Sequence, residues 1–157
     1  EDLPEVDAVI VPYGGGGLIT GIATALQHMK PESNVFACEV ETAAPLKASL
    51  QIGAPTSIEH TRSFVDGIGG KSVFEEMWPL VSELVTDSIV VSLRQVADAI
   101  HLLVERNCVV AEGAGGASVA SALSRQAGTG KIVCVISGGN IDSDKLAIIL
   151  KGEIPEP

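Results

Sequence analysis

The chain has 157 residues, of which 46% are hydrophobic and 19% charged, a balance that excludes intrinsic disorder and suits one globular domain. The formal net charge of -10 at pH 7 argues against nucleic acids and anionic membranes as partners, and no apolar run approaches the ~18 residues of a membrane span. Three cysteines without CxxC spacing argue against a structural zinc site and favour a reducing compartment, which we take to be the cytoplasm.

A run of glycines separates the first predicted strand from the first predicted helix. Residues 8–12 are apolar and mostly β-branched, which predicts a buried strand, and apolar residues at helical spacing predict a helix over 17–29. Residues 14–17 are all glycine. A strand, a glycine loop and a helix N-terminus together place several free N–H groups around one point, where the helix dipole favours an anion. We therefore expect a phosphate to bind at this loop, the simpler alternative being a flexible turn.

Two nucleotide-binding motifs can be tested against this loop by spacing. The dinucleotide fingerprint needs a glycine five residues after Gly14, where Ile19 stands. The P-loop needs Gly-Lys-Ser/Thr; from Gly16 the spacing reaches Gly21, but Ile22 follows. Both motifs fail, so the expected phosphate belongs neither to a dinucleotide nor to a nucleoside triphosphate.

Predicted strands and helices alternate along the rest of the chain. Strand, helix and strand within the first ~40 residues form a βαβ unit, which implies parallel pairing. Ser92 and Gln95 fit a capping box at the start of one helix, and Pro79 is expected to bend or end another. The fold class is therefore α/β, a mostly parallel twisted sheet with helices on both faces. Strands are predicted over 34–39, 88–91 and a buried 131–136, helices over 43–50, 72–81, 93–107, 117–125 and 143–150, and a long ordered loop over 51–70.

Three glycine-containing motifs are predicted to lie on one rim of this sheet. The first is 14–17, the second is 112–116 at an expected strand-to-helix junction, and the third is 137–140 after the last strand. In open parallel sheets, ligands bind beyond the carboxyl ends of the strands. Any one of the motifs could be a turn, but together they suggest a flat ligand that carries a phosphate.

These motifs occur in an order that also includes Glu39 and the pair Asp66-Gly67. The order resembles that of the serine/threonine dehydratases and serine racemases, which belong to the tryptophan-synthase-β-like group (fold type II) of pyridoxal-phosphate enzymes. The resemblance covers essentially the whole chain. It implies the cofactor pyridoxal 5'-phosphate, and it implies that residues 1–157 are the C-terminal half of the catalytic domain.

The resemblance also implies a role for each matching residue. Ser137 would hydrogen-bond the pyridine nitrogen, with Gly138 also at the cofactor. Because a neutral hydroxyl does not force protonation of that nitrogen, the ring is a weaker electron sink, which suits loss of a β-hydroxyl. Glu112 would approach the same side of the ring, or would instead stabilise a helix N-terminus. The cofactor phosphate would be held by Gly14, Gly15, Gly16, Gly17 and Leu18, and the active site would be lined by Asp66, Gly67 and Asn140.

Two departures from the family pattern limit what this chain can do. Glu39 and Ala43 match metal-binding positions of the racemase branch, but Pro45 stands where a further acid is expected, so we predict no metal. No lysine matches the Schiff-base lysine of the family, which lies in the N-terminal half. We therefore expect no catalytic residue in this chain, which opens without Met as if cut from a longer protein. The lysines are predicted to be surface charges: Lys30, Lys47, Lys71, Lys131, Lys145 and Lys151.

The implied reaction is β-elimination. With its missing N-terminal half, the enzyme would convert L-serine, L-threonine or a similar 2-amino-3-hydroxy acid into a 2-oxo acid and ammonia. A serine racemase or a 3-hydroxyaspartate dehydratase is the alternative within the family, with cysteine-synthase-like β-replacement further away. An alternative of another class is a non-catalytic module that binds an anion or the cofactor. The implied partners are the amino-acid substrate, the N-terminal half of the same enzyme and a second copy in a homodimer.

Overall fold

Four strands form one sheet in which every neighbouring pair runs parallel. The computed structural model describes residues 3–157. Across the sheet the order is β3-β2-β1-β4, and the β1–α1–β2 unit is present as predicted. The strands are β1 (Ala8–Pro12), β2 (Asn34–Val40), β3 (Asp87–Val91) and β4 (Ile132–Cys134).

Helices pack on both faces of this sheet, which confirms the predicted architecture. Alternate residues of β1 enter different cores: Ile10 packs with α4, α5 and α6, whereas Val9 and Val11 pack with α1, α2 and α3. A π-helical turn, Leu103–Asn107, continues α4. The helices are α1 (Gly17–Met29), α2 (Pro45–Ile52), α3 (Trp78–Leu84), α4 (Leu93–Leu102), α5 (Gly113–Leu123) and α6 (Ser143–Leu150).

Two helices begin at places that the sequence pattern did not predict. The prediction of a helix over 72–81 was wrong, because the helix begins at Trp78 with Pro79 in its first turn. Proline has no N–H to donate and a helical φ, so it starts a helix more readily than it ends one. The helix predicted over 117–125 begins earlier, at Gly113. The glycines of its first turns allow close packing, since a Cβ on Gly116 would lie 2.6 Å from Ile100 Cγ1.

The region around β4 also differs from the prediction. The strand is only three residues long and half-buried, because it lies at an edge of the sheet, whereas a longer, buried strand was expected. Residues 109–112 do not form the expected strand before α5. The π-helical turn ends at Cys108, which has a φ of 55° and donates its N–H to Leu103 O, and Val109 donates its N–H to the same oxygen at 3.1 Å. Glu112 consequently enters α5 from a loop rather than from a strand.

A long segment without helices or ladder strands connects α2 to α3, as predicted for residues 51–70. It is ordered by burial, since Phe64, Val65 and Ile68 lie in the core on one face of the sheet. Its Gly67 and Gly69 therefore have fixed positions near the carboxyl end of β1. No helix within residues 3–157 is long and apolar enough to cross a membrane.

Candidate functional site

The glycine loop lies between the carboxyl end of β1 and the N-terminus of α1. Gly16 is the N-cap residue of α1 and has a φ of 90°, a left-handed conformation that a Cβ disfavours. Among the described residues, no acceptor takes the N–H groups of residues 14–19. Thr20 Oγ1 donates to Gly16 O at 2.9 Å, which ties the loop to the body of the helix. These free donors and the helix dipole make the loop competent to bind a phosphate.

Predicted site residues from four distant parts of the chain meet in one cavity of about 290 Å³. We call it the glycine cavity; the loop of residues 14–18 forms one wall, and Gly67, Glu112 and Ser137 complete it. Asp66 and Asn140 line a smaller neighbouring cavity, of about 80 Å³, which shares Glu112 with the glycine cavity. All the residues predicted for the cofactor and the active site are thus brought together around Glu112.

Glu112 occupies a narrow gap between two glycines. An added Cβ on Gly138 would lie 2.6 Å from Glu112 Oε1, and one on Gly67 would lie 2.9 Å from the same atom. The N–H of Glu112 donates to Gly138 O at 3.0 Å. Although Glu112 is the N-cap residue of α5, its carboxylate accepts no hydrogen bond from that helix. The carboxylate is therefore positioned by the two glycine segments and lines the cavity.

Ser137 lies three residues past the end of β4 and is exposed. The pairing of β4 with β1 continues one residue past the strand, because Val135 donates its N–H to Ile10 O at 3.0 Å. The Ser137 hydroxyl makes no hydrogen bond within the described residues, so it is available to a ligand. Close approach of this segment to residue 110 requires Gly139, whose Cβ would lie 2.7 Å from Val110 O.

Sequence reasoning missed two side chains at this site. Phe74 lies over the loop, and a Cβ on Gly15 would come within 3.3 Å of its Cε2. Lys145 was predicted to be a surface charge, but it is half-buried and lines the smaller cavity with Asp66 and Asn140. The sequence did offer one sign that Lys145 lies near the site, because it falls in the first turn of the helix that follows motif 137–140. No comparable sign was available for Phe74.

Glu39 has a structural task that the sequence did not indicate. It is fully buried on β2, and its carboxylate accepts the N–H groups of Leu46 and Lys47 at 2.8 Å each and the hydroxyl of Ser88 at 2.7 Å. Burial raises the pKa of Glu39, and these three hydrogen bonds offset part of that rise. Because both carboxylate oxygens already hold the N-terminus of α2, where Pro45 offers no acid, these residues do not fit a metal ion.

Tyr13 anchors the start of the glycine loop in the core. Its N–H donates to Cys38 O at 3.0 Å, and the side chain is only 1% exposed. Burial, together with the charge of Glu39, raises the pKa of the Tyr13 hydroxyl to about 12. Burial also raises the pKa of the Cys38 thiol, so neither group is ionised at neutral pH.

Three comparisons describe what this chain is similar to. A family model for pyridoxal-phosphate dependent enzymes matches residues 1–138. L-threonine ammonia-lyase of Thermotoga maritima is 42% identical over 154 residues, which are 97% of this chain and 38% of that protein. Serine racemase of Oryza sativa subsp. indica is 34% identical over 149 residues, 90% of this chain and 44% of that protein. The structure of maize serine racemase has a TM-score of 0.85 and 33% identity, covering 93% of this chain and 48% of its own. The chain thus spans less than half the length of these proteins.

Proposed function

Since the chain belongs to the family of pyridoxal-phosphate-dependent enzymes, we propose that residues 1–157 are the C-terminal half of the catalytic domain of a serine/threonine dehydratase. The complete enzyme would remove the β-hydroxyl of L-serine or L-threonine and release a 2-oxo acid and ammonia. Similarity to a threonine ammonia-lyase at 42% identity supports this choice of reaction. Because the chain spans only 38% of that relative, the activity is proposed for the complete enzyme, and we expect this chain alone to be inactive.

The observation that carries the proposal is the composition of the glycine cavity. It combines unpaired N–H groups at a helix N-terminus with a free hydroxyl at Ser137 and a carboxylate at Glu112. The first set suits a phosphate, and the hydroxyl suits a ring nitrogen, so the residues present fit pyridoxal phosphate. When bound, this cofactor withdraws electrons from an attached amino acid and makes its α proton removable.

Each residue of the cavity then has a separate task. The N–H groups of residues 14–18 would hold the phosphate, and the Ser137 hydroxyl would hydrogen-bond the ring nitrogen without a charge of its own. Gly138 would leave room for the ring and for Glu112 beside it. Asp66, Gly67 and Asn140 would line the space for the substrate. None of these residues would remove the α proton, a task that we assign to the lysine of the N-terminal half.

The reaction is tested with the complete enzyme that contains this chain. We expect 2-oxo acid from L-serine or L-threonine, and a loss of about tenfold or more in kcat for Ser137→Ala, because the ring nitrogen loses its partner. Ser82→Ala, an exposed serine on α3, is the matched control and should leave kcat unchanged. A complete enzyme that binds the cofactor but forms no 2-oxo acid contradicts the proposal, and D-serine as the product supports a racemase instead.

The position of the Schiff-base lysine is tested separately. Borohydride reduction of the loaded complete enzyme, followed by peptide mass mapping, should place the reduced cofactor on a lysine outside residues 1–157. Within this chain, Lys145 is the lysine that shares a cavity with Glu112, so its peptide is the one to inspect. A stoichiometric adduct on Lys145 would show that this chain supplies the catalytic lysine and would refute its assignment to the N-terminal half.

We also propose that the complete enzyme is a homodimer in the cytoplasm. The dimer rests on the resemblance to the family and is checked by light scattering of the complete enzyme. The compartment is supported by the three cysteines, which are all free in the structure, since oxidising compartments favour disulfides.

A further inference from the structure

A second cavity, of about 460 Å³, lies next to the glycine cavity and is the larger of the two. Its size falls in the range of small-molecule sites. One wall is the loop of residues 60–69, and Lys145 of α6 forms part of another. We call it the basic cavity, after His60, Arg62 and Lys145 in its lining.

Two cationic side chains and one carboxylate line this cavity, in a chain whose net charge is negative. The chain has 10 lysines and arginines against 20 aspartates and glutamates, yet Arg62, Lys145 and His60 converge here from two separate segments. Within residues 3–157, neither Arg62 nor Lys145 forms an ion pair. The acidic side chain of the lining, Asp66, is not paired with Lys145 although both face the cavity. The two cations are therefore free to bind a ligand.

The neutral part of the lining also suits an anion. Ser63 Oγ accepts the hydroxyl of Thr42 at 3.4 Å and the N–H of Val65 at 3.3 Å, so its own proton is left for a further acceptor. Val65 and Ile68 form an apolar floor, each less than a tenth exposed. An arginine fork, an ammonium and a hydroxyl donor over an apolar floor match a group with several anionic oxygens.

We propose that the basic cavity binds a small anion, carboxylate or phosphate, at a site separate from the cofactor. Arg62 would hold two oxygens through its planar fork, Lys145 would add a point charge, and Ser63 would donate one hydrogen bond. None of these three residues lines the glycine cavity, although Lys145 also lines the smaller cavity that contains Asp66 and Glu112.

The experiment uses the complete enzyme that contains this chain, ¹⁵N-labelled and free of cofactor, and two probes, inorganic phosphate and succinate, in separate NMR titrations. In each titration the amide chemical shifts are followed in two groups, residues 60–69 with Lys145 at the basic cavity and residues 14–18 at the glycine loop. We expect saturable shifts in the first group with at least one probe, and the stronger probe identifies the anion class. Shifts of residues 14–18 with phosphate report the cofactor loop independently.

The decisive variant is Arg62→Gln combined with Lys145→Gln. It should weaken binding at residues 60–69 by about tenfold or more, because two charge-assisted contacts are lost, and leave the response of residues 14–18 in place. Arg106→Gln with Lys151→Gln removes the same charge from exposed positions outside the cavity and should change nothing. The spectra verify folding, and Arg62→Gln alone carries the test if the double variant unfolds.

Three results would overturn the proposal. The first is a response of residues 60–69 that does not saturate with either probe. The second is an equal weakening in the charge-matched control, which would mean that only overall charge matters. The third is a set of shifts confined to residues 14–18, which would leave the glycine loop as the anion site of this chain.

Discussion

The position of Glu112 depends on two neighbouring residues that lack a Cβ atom. Its carboxylate fits between Gly67 and Gly138 because neither residue has a Cβ, which at Gly138 would approach Oε1 to 2.6 Å. Real Cβ atoms do not come so close to an oxygen, so any side chain at either position must displace Glu112. The glycines of motifs 66–67 and 137–140 therefore act here through the space they leave for the carboxylate, not through backbone freedom.

Replacing Gly138 by alanine should accordingly damage the site more than the fold. We expect Gly138→Ala to lower kcat of the complete enzyme on the order of 10²-fold, because the Glu112 carboxylate is pushed out of position, with about 1–3 kcal/mol of lost stability. Steady-state kinetics and chemical denaturation measure the two effects. Gly21→Ala is the control, since its Cβ meets no atom within 4 Å in α1, and it should keep full activity and gain up to about 1 kcal/mol. Unchanged activity in Gly138→Ala would show that the reaction does not depend on the position of the Glu112 carboxylate.

Glu39 gives the stability of the chain a definite dependence on pH. Burial raises the pKa of Glu39 above its ordinary value of 4.5, so the folded chain binds this proton more tightly than the unfolded chain. The contribution of Glu39 to stability is therefore complete below the ordinary value and is lost as pH rises through the raised pKa. The Glu39→Gln variant does not titrate here and lacks this dependence.

The measurement is urea denaturation of the parent chain and Glu39→Gln at several pH values from 4.5 upward. We expect the parent's advantage in unfolding free energy to shrink as pH rises, and the variant to lose about 1–3 kcal/mol at low pH because an amide cannot accept all three hydrogen bonds. The other carboxylates titrate alike in both proteins, so their effects cancel in the difference between the two unfolding free energies. A constant difference over this pH range would contradict the raised pKa.

Helix starts are where local sequence and distant contacts compete most visibly. For α4 the local signal suffices: Ser92 Oγ accepts the N–H of Gln95 at 3.2 Å, and Gln95 Oε1 accepts the N–H of Ser92 at 2.8 Å, so the predicted capping box is confirmed. For α2 the cap comes from Glu39 on a neighbouring strand, and no local pattern announces it. For α5 the start at Gly113 depends on close packing against Val65.

The capping box of α4 makes a quantitative prediction. Ser92→Ala should destabilise the chain by about 1 kcal/mol, because one N–H of the first turn loses its acceptor. The slope of the urea transition should stay the same, since the buried surface does not change. Ser82→Ala is a suitable control, because the Ser82 hydroxyl bonds only Pro79 O at 3.3 Å on an exposed surface. Equal effects of the two substitutions would mean that the box adds nothing.

At the scale of the whole molecule, the sheet ends at an edge strand, β4, beside the candidate site. β4 pairs with β1 on one side only, and within the described residues no strand pairs with its other side. Apolar side chains are exposed on the same part of the surface, including Leu18 and Phe74 at the glycine loop and Ile136 beyond β4. Because the chain spans 38% of a similar enzyme, we expect the proposed N-terminal half to pack against this face.

Hydrogen exchange can locate that contact. In the complete enzyme, the amides of residues 132–136 should exchange about tenfold more slowly or better than in this chain alone, because the free edge of β4 becomes covered. The amides of Leu93–Leu102 in α4, which are already packed, are the internal control and should change little. Equal exchange at residues 132–136 in both proteins would exclude this face as the contact.

Much of the architecture and of the candidate site was predictable because its signals are local. Alternating apolar strands, helical spacing and the capping box are patterns within a few residues, and they predicted the parallel sheet with helices on both faces. The glycine loop and motif 137–140 were recognisable for the same reason, and in a parallel sheet the carboxyl ends of β1 and β4 necessarily share one edge. Family membership followed from the order of these motifs, and the matching family model confirms it.

The sequence by itself thus determined the fold class, the family and the position of the glycine loop after the first strand. Only the tertiary structure decided that Glu112 faces the cavity instead of capping α5, that Glu39 holds α2, and that Lys145 joins Arg62 in a second cavity. The reason is physical: these outcomes depend on distances between residues that lie far apart in the chain. Such distances are set by the packing of apolar side chains and by close approach at glycines, and no local sequence pattern encodes them.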